Sequence, residues 1–200
     1  MIKLFSFTLP FLALFAPSVW VNYTLKKYNK FLPNMPFTGK ELGDKILQEQ
    51  NISNVLIKSI KQTDHYNPIE KQIHIGEDKI NKKSITSIAV TVHEIGHAIQ
   101  DKENYKPLLL RQKLIEKTII FQRVGSFLLI IGLPSIFAIT KSPLITFLTA
   151  IIIMGCLSTN VLIHLITLPV EFDASFKRAL PILQKYVPKK NMRQCRSVLR

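Results

Sequence analysis

Three long stretches of the chain contain no charged side chain: residues 4–25, 124–140 and 142–170. A helix needs about 20 apolar residues, with a range of roughly 17 to 25, to cross the hydrocarbon core of a bilayer. Soluble domains alternate polar and apolar residues every few positions, and disordered basic chains lack hydrophobic blocks, so neither class accounts for these runs. The sequence therefore predicts a membrane protein that also carries a polar domain.

The first run is followed by a basic cluster that begins at Lys26 and Lys27, and it carries Trp20 and Tyr23 where an aromatic belt would lie at the membrane surface. The alternative interpretation is a cleaved signal peptide. The run is long for a signal peptide, and its two alanines do not have the spacing of a small-x-small cleavage site. We therefore predict that residues 1–25 are an N-terminal transmembrane anchor.

Only Lys141 separates the second and third runs, and it lies in a turn-forming sequence that ends at Pro143. Residues 118–170 are therefore predicted to form a transmembrane helical hairpin whose two ends lie on the same side of the membrane. Both flanking polar segments are basic: residues 26–117 carry 16 Lys and Arg against 11 Asp and Glu, and residues 171–200 carry 8 against 2. The positive-inside rule predicts that both segments face the cytoplasm.

The formal net charge of +14 has two interpretations. Nucleic-acid binding would be expected from a basic motif interleaved with aromatic residues, and the sequence has no such motif. A positive surface that faces the anionic headgroups of the lipid bilayer accounts for the charge without a further motif. We therefore predict the bilayer, and no nucleic acid, as a partner. The two cysteines, Cys156 and Cys195, form no CxxC pattern and indicate no disulfide framework.

The polar segment 26–117 is interpreted as one small α+β domain. A capping-box pattern of Thr38 and Glu41 predicts a helix that starts after Thr38. Alternating apolar residues in NVLIKSIK and KQIHIG predict two strands, paired as a hairpin or lying close together, with a turn at DHYNP between them. The apolar periodicity that follows Ser84, a good N-cap, predicts a second helix that ends at about Asp101.

The second helix contains the sequence HEIGH, residues 93–97. Two histidines at i and i+4 differ by about 40° around a helix axis, so His93 and His97 project from one face, as two ligands of a tetrahedral Zn²⁺ require. Glu94 points beside such a metal and can accept a proton from a water molecule there without binding the metal itself. Gly96 costs about 1 kcal/mol relative to Ala inside a helix, which indicates close packing or access at that face. A bare HExxH pattern also arises by chance, and its position on a strongly periodic helix favours the metal interpretation.

A catalytic zinc site needs a third protein ligand. The candidates after the motif are Glu103, Glu116, His164, Glu171 and Asp173. The hairpin topology favours Glu171, because the third hydrophobic run ends there and returns the chain to the face where the HEIGH helix lies. Asp173 would then orient a zinc-binding histidine. Alternatively, Glu171 and Asp173 only stabilise the N-terminus of a helix that follows a proline.

Two further features of the domain have open interpretations. In DHYNP, His65 and Tyr66 would stabilise an oxyanion in one interpretation. In the other, which we favour, the segment is only an Asx-type turn before Pro68. The strand KQIHIG is either an edge that pairs with an extended substrate or an ordinary sheet edge.

Five segments occur in a fixed order between Thr38 and Leu180: TGKELGDKIL, DHYNP, VHEIGHAIQ, PLLLRQKL and LPVEFDASFKRAL. In order and approximate spacing they resemble the YugP-like neutral zinc metallopeptidases of bacterial membranes. Because several motifs are spread over most of the chain, this resemblance is far more specific than HExxH alone.

The resemblance implies a gluzincin-type metallopeptidase of the bacterial cytoplasmic membrane. It implies that His93 and His97 are zinc ligands, that Glu94 is the general base, and that Glu171 is the third ligand. At Ser175 the chain departs from the ExxxD pattern of other membrane gluzincins, which have an aspartate at that position.

These observations predict an α+β protein in which a small zincin-like metallopeptidase domain is joined to an N-terminal anchor and a helical hairpin. A basic helical tail, residues 171–200, would carry the third ligand. The predicted activity is the hydrolysis of peptide or protein substrates, including membrane-associated ones. An intramembrane protease is not favoured, because charged residues closely flank the HEIGH helix. The alternative is a catalytically silent membrane scaffold or interaction protein that retains the fold.

Overall fold

The computed structural model describes residues 16–61 and 63–200, apart from the side chains of Glu116 and Asn160. Within these residues the chain forms two compact units. One contains the residues up to Glu103 and, after an interruption, Asp173–Arg200; we call it the α/β unit. The other, Asn104–Phe172, is the helical unit.

The described part of the α/β unit begins with helical residues 16–28 (α1), so most of the predicted anchor lies outside the described residues. Helix α2, Gly39–Glu49, starts as predicted. Thr38 Oγ1 accepts a hydrogen bond from the Glu41 backbone amide at 3.2 Å, and the Glu41 carboxylate accepts one from the Thr38 amide at 2.8 Å. This capping box satisfies two amides that the geometry of a helix N-terminus leaves without partners.

Three short strands form the sheet: β1 (Leu56–Ile60), β2 (His65–Asn67) and β3 (Gln72–Gly76), in the order β1-β3-β2. β1 is parallel to β3, and β2 is antiparallel to it. The two predicted strands are therefore present but do not form a hairpin with each other. The interpretation of KQIHIG as a sheet edge is wrong, because β3 is central and already paired on both sides. Local alternation predicts a strand but does not specify its partners.

The segment DHYNP contains strand β2 in addition to the predicted turn. Asn67 Oδ1 accepts hydrogen bonds from the backbone amides of Ile69 at 3.0 Å and Glu70 at 3.2 Å. The Asx-type turn at Pro68 is thus confirmed. The residues before it are extended because β3 supplies partners for their backbone groups.

Helix α3, Ile85–Lys102, lies in the centre of the α/β unit. It starts at the predicted cap, where Ser84 Oγ accepts a hydrogen bond from the Ser87 amide at 3.0 Å. Most of its residues are buried, together with Ile73 and Ile75 of β3. The helix that carries HEIGH is therefore a core element, held by apolar burial on several sides.

Residues Asp173–Arg200 complete the α/β unit. Their elements are a π-helical segment (Asp173–Ala179), α7 (Leu180–Tyr186), a 3₁₀ turn (Lys189–Asn191) and α8 (Met192–Val198). Ala179, Leu183 and Cys195 are fully buried in the same core cluster as the apolar residues of α3. Apolar burial thus holds the end of the chain against a helix from the middle of the sequence.

The helical unit is a hairpin. Its elements are α4 (Lys106–Phe127), a π-helical segment (Leu128–Gly132), α5 (Leu133–Thr140) and α6 (Pro143–Phe172). Lys141 adopts a left-handed conformation, φ 47°, which ends α5 and reverses the chain. α4 lies close to α6, since a Cβ added to Gly125 would be 2.8 Å from the Cβ of Cys156. The helix before the turn starts at Lys106.

Two helical stretches are long and apolar enough to cross a membrane: Lys106–Thr140 and Pro143–Tyr186. Their large apolar side chains are mostly exposed, for example Ile139 at 82% and Met154 at 68%. The described residues therefore form an α+β protein, mostly helical, with a three-stranded sheet and two helices suited to a bilayer.

Candidate metal centre

The two histidines of HEIGH lie side by side on α3. The ring centroids of His93 and His97 are 4.8 Å apart, and the ring planes are nearly perpendicular, at 81°. This spacing follows from the helix itself, because residues four positions apart lie one turn apart on the same face. Glu94 follows the first histidine and is only 6% exposed.

Ser175, in the π-helical segment, contacts the first histidine. Its Oγ lies 3.0 Å from Nδ1 of His93. Ser175 is itself buried, at 4% exposure, so solvent competes little for this hydrogen bond. The hydroxyl of Ser175 thus provides a hydrogen-bonding group for the imidazole.

Gln100 connects the second histidine to Asp173. Nδ1 of His97 lies 3.0 Å from Gln100 Oε1, and Gln100 Nε2 donates to Asp173 Oδ2 at 2.9 Å. Gln100 is fully buried, and its amide is polarised at both ends by these contacts. An amide oxygen only accepts hydrogen bonds, so Nδ1 of His97 carries the proton and Nε2 keeps a lone pair.

Asp173 is held in turn by Arg178. Arg178 Nε donates to Asp173 Oδ2 at 2.6 Å, and its Nη1 lies 2.9 Å from a carboxylate oxygen of Glu103. Burial raises the pKa of Asp173, but the hydrogen bonds from Arg178 and Gln100 outweigh it and hold the pKa below its usual range. Asp173 is therefore ionised at neutral pH and can accept from the Gln100 amide.

Gly96 lets the π-helical segment approach α3 closely. A Cβ added to Gly96 would lie 2.8 Å from the carbonyl oxygen of Ala174, well inside van der Waals contact. Ala174 lies between Ser175, which contacts His93, and Asp173, which reaches His97 through Gln100. The glycine inside HEIGH therefore has a packing role, one of the two explanations considered from the sequence.

Glu171, the predicted third ligand, belongs to the helical unit. It lies in the last turn of α6, where its carboxylate is 3.2 Å from the guanidinium of Arg111. The chain continues from α6 into the π-helical segment, so Ser175 lies four positions after Glu171 along the chain.

His65 and Tyr66 make their contacts elsewhere in the α/β unit. His65 Nδ1 lies 2.9 Å from the Thr63 carbonyl oxygen, and the Tyr66 hydroxyl donates to Asp101 Oδ2 at 2.6 Å. Burial, and then the hydrogen bond to Asp101, raise the pKa of Tyr66, so its hydroxyl stays protonated. A role of either residue in oxyanion stabilisation stays a prediction.

Gln100 and Arg178 are not predicted as site residues from the sequence. Gln100 lies three positions after His97, within one helical turn, so helical spacing could have suggested it. Arg178 lies five positions after Asp173. In an α-helix, two side chains five positions apart differ by about 140° around the axis. In a π-helix they lie closer together, because its hydrogen bonds run from i to i+5. No local signal in the sequence predicts this π-helical segment.

Comparison with known proteins agrees with these features. The family described as "Putative neutral zinc metallopeptidase" matches residues 3–200. A protein of Bacillus subtilis named "Putative membrane protease YugP" is 31% identical over 168 residues, which cover 79% of this chain and 69% of that protein. No solved structure matches the chain. The match over nearly the whole chain confirms the resemblance found in the sequence, and the chain belongs to this family.

Proposed function

We propose that the protein is a membrane zinc metallopeptidase that hydrolyses peptide bonds in peptide or protein substrates. The observation that carries this proposal is the pair of hydrogen bonds at the two histidines, one partly buried at Nδ1 of His93 and one buried at Nδ1 of His97. Histidines that bind zinc usually engage their other ring nitrogen in such a contact, which fixes the tautomer and the ring orientation.

The donor set fits zinc. His93, His97 and Glu171 offer two imidazole nitrogens and one carboxylate oxygen, a set that could hold a metal ion. Three protein ligands of this kind, with one position left for water or substrate, are typical of catalytic zinc. Zinc, when bound, supplies a Lewis acid that polarises the scissile carbonyl and lowers the pKa of a water molecule toward about 7.

Glu94 is the general base of the proposed mechanism. Its carboxylate accepts the proton of the attacking water and then donates it to the nitrogen of the leaving amine. Glu94 is nearly buried beside His93, which limits the access of bulk water to the proposed site.

Glu171 is proposed as the third ligand because of its helical relation to Ser175. Residues four positions apart on a helix lie one turn apart on the same face. Ser175 contacts His93, so a residue one turn earlier on a continuous helix is directed to the same side. Arg111 would hold the Glu171 carboxylate in one orientation through their ion pair.

Asp173 acts as a positioning residue. It does not touch substrate; it orients His97 through Gln100, as the hydrogen bonds between these three residues support. Its charge strengthens the Gln100 contact, because hydrogen bonds to ionised acceptors are stronger than neutral ones. The zincin-like fold of the domain remains part of this proposal.

The membrane location of the protein and its orientation in the membrane are supported by different observations. The exposed apolar side chains of the hairpin would be costly in water and are favourable in lipid. The related Bacillus subtilis protein is named a membrane protease. The excess of Lys and Arg on both sides of the hairpin supports a cytoplasmic position of the catalytic domain.

Metal content and proteolysis of purified variants test the proposal. The wild-type protein should hold zinc, His97→Ala should lose it, and Glu94→Gln should keep it while losing peptide hydrolysis. Glu77→Gln is the matched control, because Glu77 is an exposed glutamate of the same unit and should change neither property. Unchanged hydrolysis by Glu94→Gln would overturn the mechanism, and zinc binding without any hydrolysis would favour a silent scaffold.

Two glutamate variants test the third ligand. Glu171→Gln should weaken zinc binding about 10-fold or more, whereas Glu116→Gln should leave the zinc affinity unchanged. The opposite result would assign the ligand to Glu116. A reporter fused after Arg200 tests the orientation, and activity of a reporter that functions only outside the cytoplasm would contradict the cytoplasmic assignment.

A further inference from the structure

A second pair of histidines lies on the sheet. His65 on β2 and His74 on β3 are directly opposite each other in the antiparallel register. Side chains alternate along a strand, so His74 projects from the face opposite to that of Ile73 and Ile75, its buried neighbours. The pair therefore lies on the side of the sheet that faces away from the apolar core.

The hydrogen bonds of the two rings determine where their protons are. Nδ1 of His65 lies 2.9 Å from the Thr63 carbonyl oxygen, and Nε2 of His74 lies 3.1 Å from Gln72 Oε1. Both partners are oxygens that only accept, so each of these nitrogens carries a proton. The lone pairs are then on the remaining nitrogens, Nε2 of His65 and Nδ1 of His74.

Nδ1 of His74 has an unsatisfied lone pair. It is shielded from solvent and has no hydrogen-bond partner among the residues that the structure describes. Burial lowers the pKa of His74, and the neighbouring His65 lowers it further, so the ring is neutral at physiological pH. A neutral imidazole with an open nitrogen is the form that binds a metal ion.

The spacing of this pair resembles that of the pair in HEIGH. The ring centroids of His65 and His74 are 4.7 Å apart and tilted by 57°, against 4.8 Å and 81° for His93 and His97. Both rings are partly exposed, so water can complete the coordination. We propose that His65 and His74 form a second site for a divalent transition-metal ion of the kind that prefers imidazole, such as Zn²⁺, Ni²⁺ or Cu²⁺.

Two nearby charges modify this site in opposite directions. Lys58 of β1 is the strand partner of His74 and repels a cation, whereas the Glu70 carboxylate attracts one. Lys58 is exposed, so its flexible side chain can move its charge into solvent when an ion binds. A bound ion would connect β2 to β3 and stabilise this edge of the sheet by mass action.

The test is a calorimetric titration of the full-length protein in detergent with Zn²⁺ alone. The wild-type chain should bind about two ions, and His65→Asn and His74→Asn should each bind about one. His164→Asn is the matched control, because His164 lies in α6 of the helical unit, and it should bind as the wild type does. The same number of ions bound by the wild type and by both sheet variants would overturn the proposal, whatever the occupancy of the HEIGH site.

Two further variants distinguish the sheet site of His65 and His74 from the HEIGH site. His97→Ala should still bind one ion through the sheet pair, so failure of the proposed peptidase site would leave this result unchanged. Lys58→Glu keeps both histidines and replaces the repelling charge, so it should tighten zinc binding at the sheet site several-fold even if the histidine variants fold poorly. No change in affinity for Lys58→Glu would contradict the proposed position of the ion.

Discussion

The hydroxyl of Ser175 lies 3.0 Å from Nδ1 of His93, although 82 positions separate the two residues in the sequence. Two residues before Ser175, Asp173 reaches the other histidine through Gln100. One short π-helical segment thus contacts His93 directly and reaches His97 through Gln100 of α3.

Gly96→Ala should reduce both stability and zinc affinity. The new Cβ would lie 2.8 Å from the Ala174 carbonyl oxygen, so the π-helical segment must move away from α3. Overpacking of this kind costs about 1–3 kcal/mol in the free energy of unfolding. Thermal unfolding and chelator competition measure the two effects. Gly155→Ala is the control, because the added Cβ there would have no neighbour within 4 Å beyond its own stretch of helix backbone, so the change should be neutral or stabilising.

Gln100→Leu should weaken zinc binding while leaving the protein folded. Leucine fills most of the buried volume but loses the hydrogen bonds to His97 and Asp173. Loss of such an outer contact of a zinc histidine lowers metal affinity about 10- to 100-fold. Gln184→Leu, an exposed position on α7, should bind zinc with unchanged affinity. Equal affinities for the two variants would show that Gln100 does not orient His97.

Ser175→Ala should remove the hydrogen bond that holds the ring of His93 in position. The variant removes only the hydroxyl, so we expect little loss of stability from packing and about a 10-fold loss of zinc affinity, measured by competition with a chromophoric chelator. Ser59→Ala on β1 is an exposed control that should have no effect. If Ser175→Ala binds zinc as tightly as the wild type, the hydroxyl does not contribute to the metal centre.

The thiol of Cys195 should be unreactive in the folded protein. Burial raises the pKa of the Cys195 thiol to about 11, and the side chain is fully buried, so almost no thiolate is available at pH 8. In a Cys156→Ser protein, a thiol-specific chromophoric reagent should label Cys195 only after denaturation. Rapid labelling of the native protein would indicate that α8 does not stay packed in the core.

The sequence predicted the elements that carry their own local signals. The capping box at Thr38 and the cap at Ser84 each place a hydrogen-bonding side chain beside the amides it satisfies, so α2 and α3 begin where the sequence predicted. The strands were predicted from alternation, but the central position of β3 was not, because strand order depends on contacts between distant segments. The Asx turn at Asn67 was found, and the strand just before it was missed for the same reason.

The sequence by itself determined that His93 and His97 share one helix face, since this follows from helical geometry and needs no other part of the chain. It also determined which segments are apolar enough for a bilayer, because that property is additive along the chain. Only the tertiary structure decided which groups hold the two imidazoles. That choice depends on burial of the C-terminal residues against α3, on the space that Gly96 leaves for Ala174, and on the π-helical turn that aligns Arg178 with Asp173.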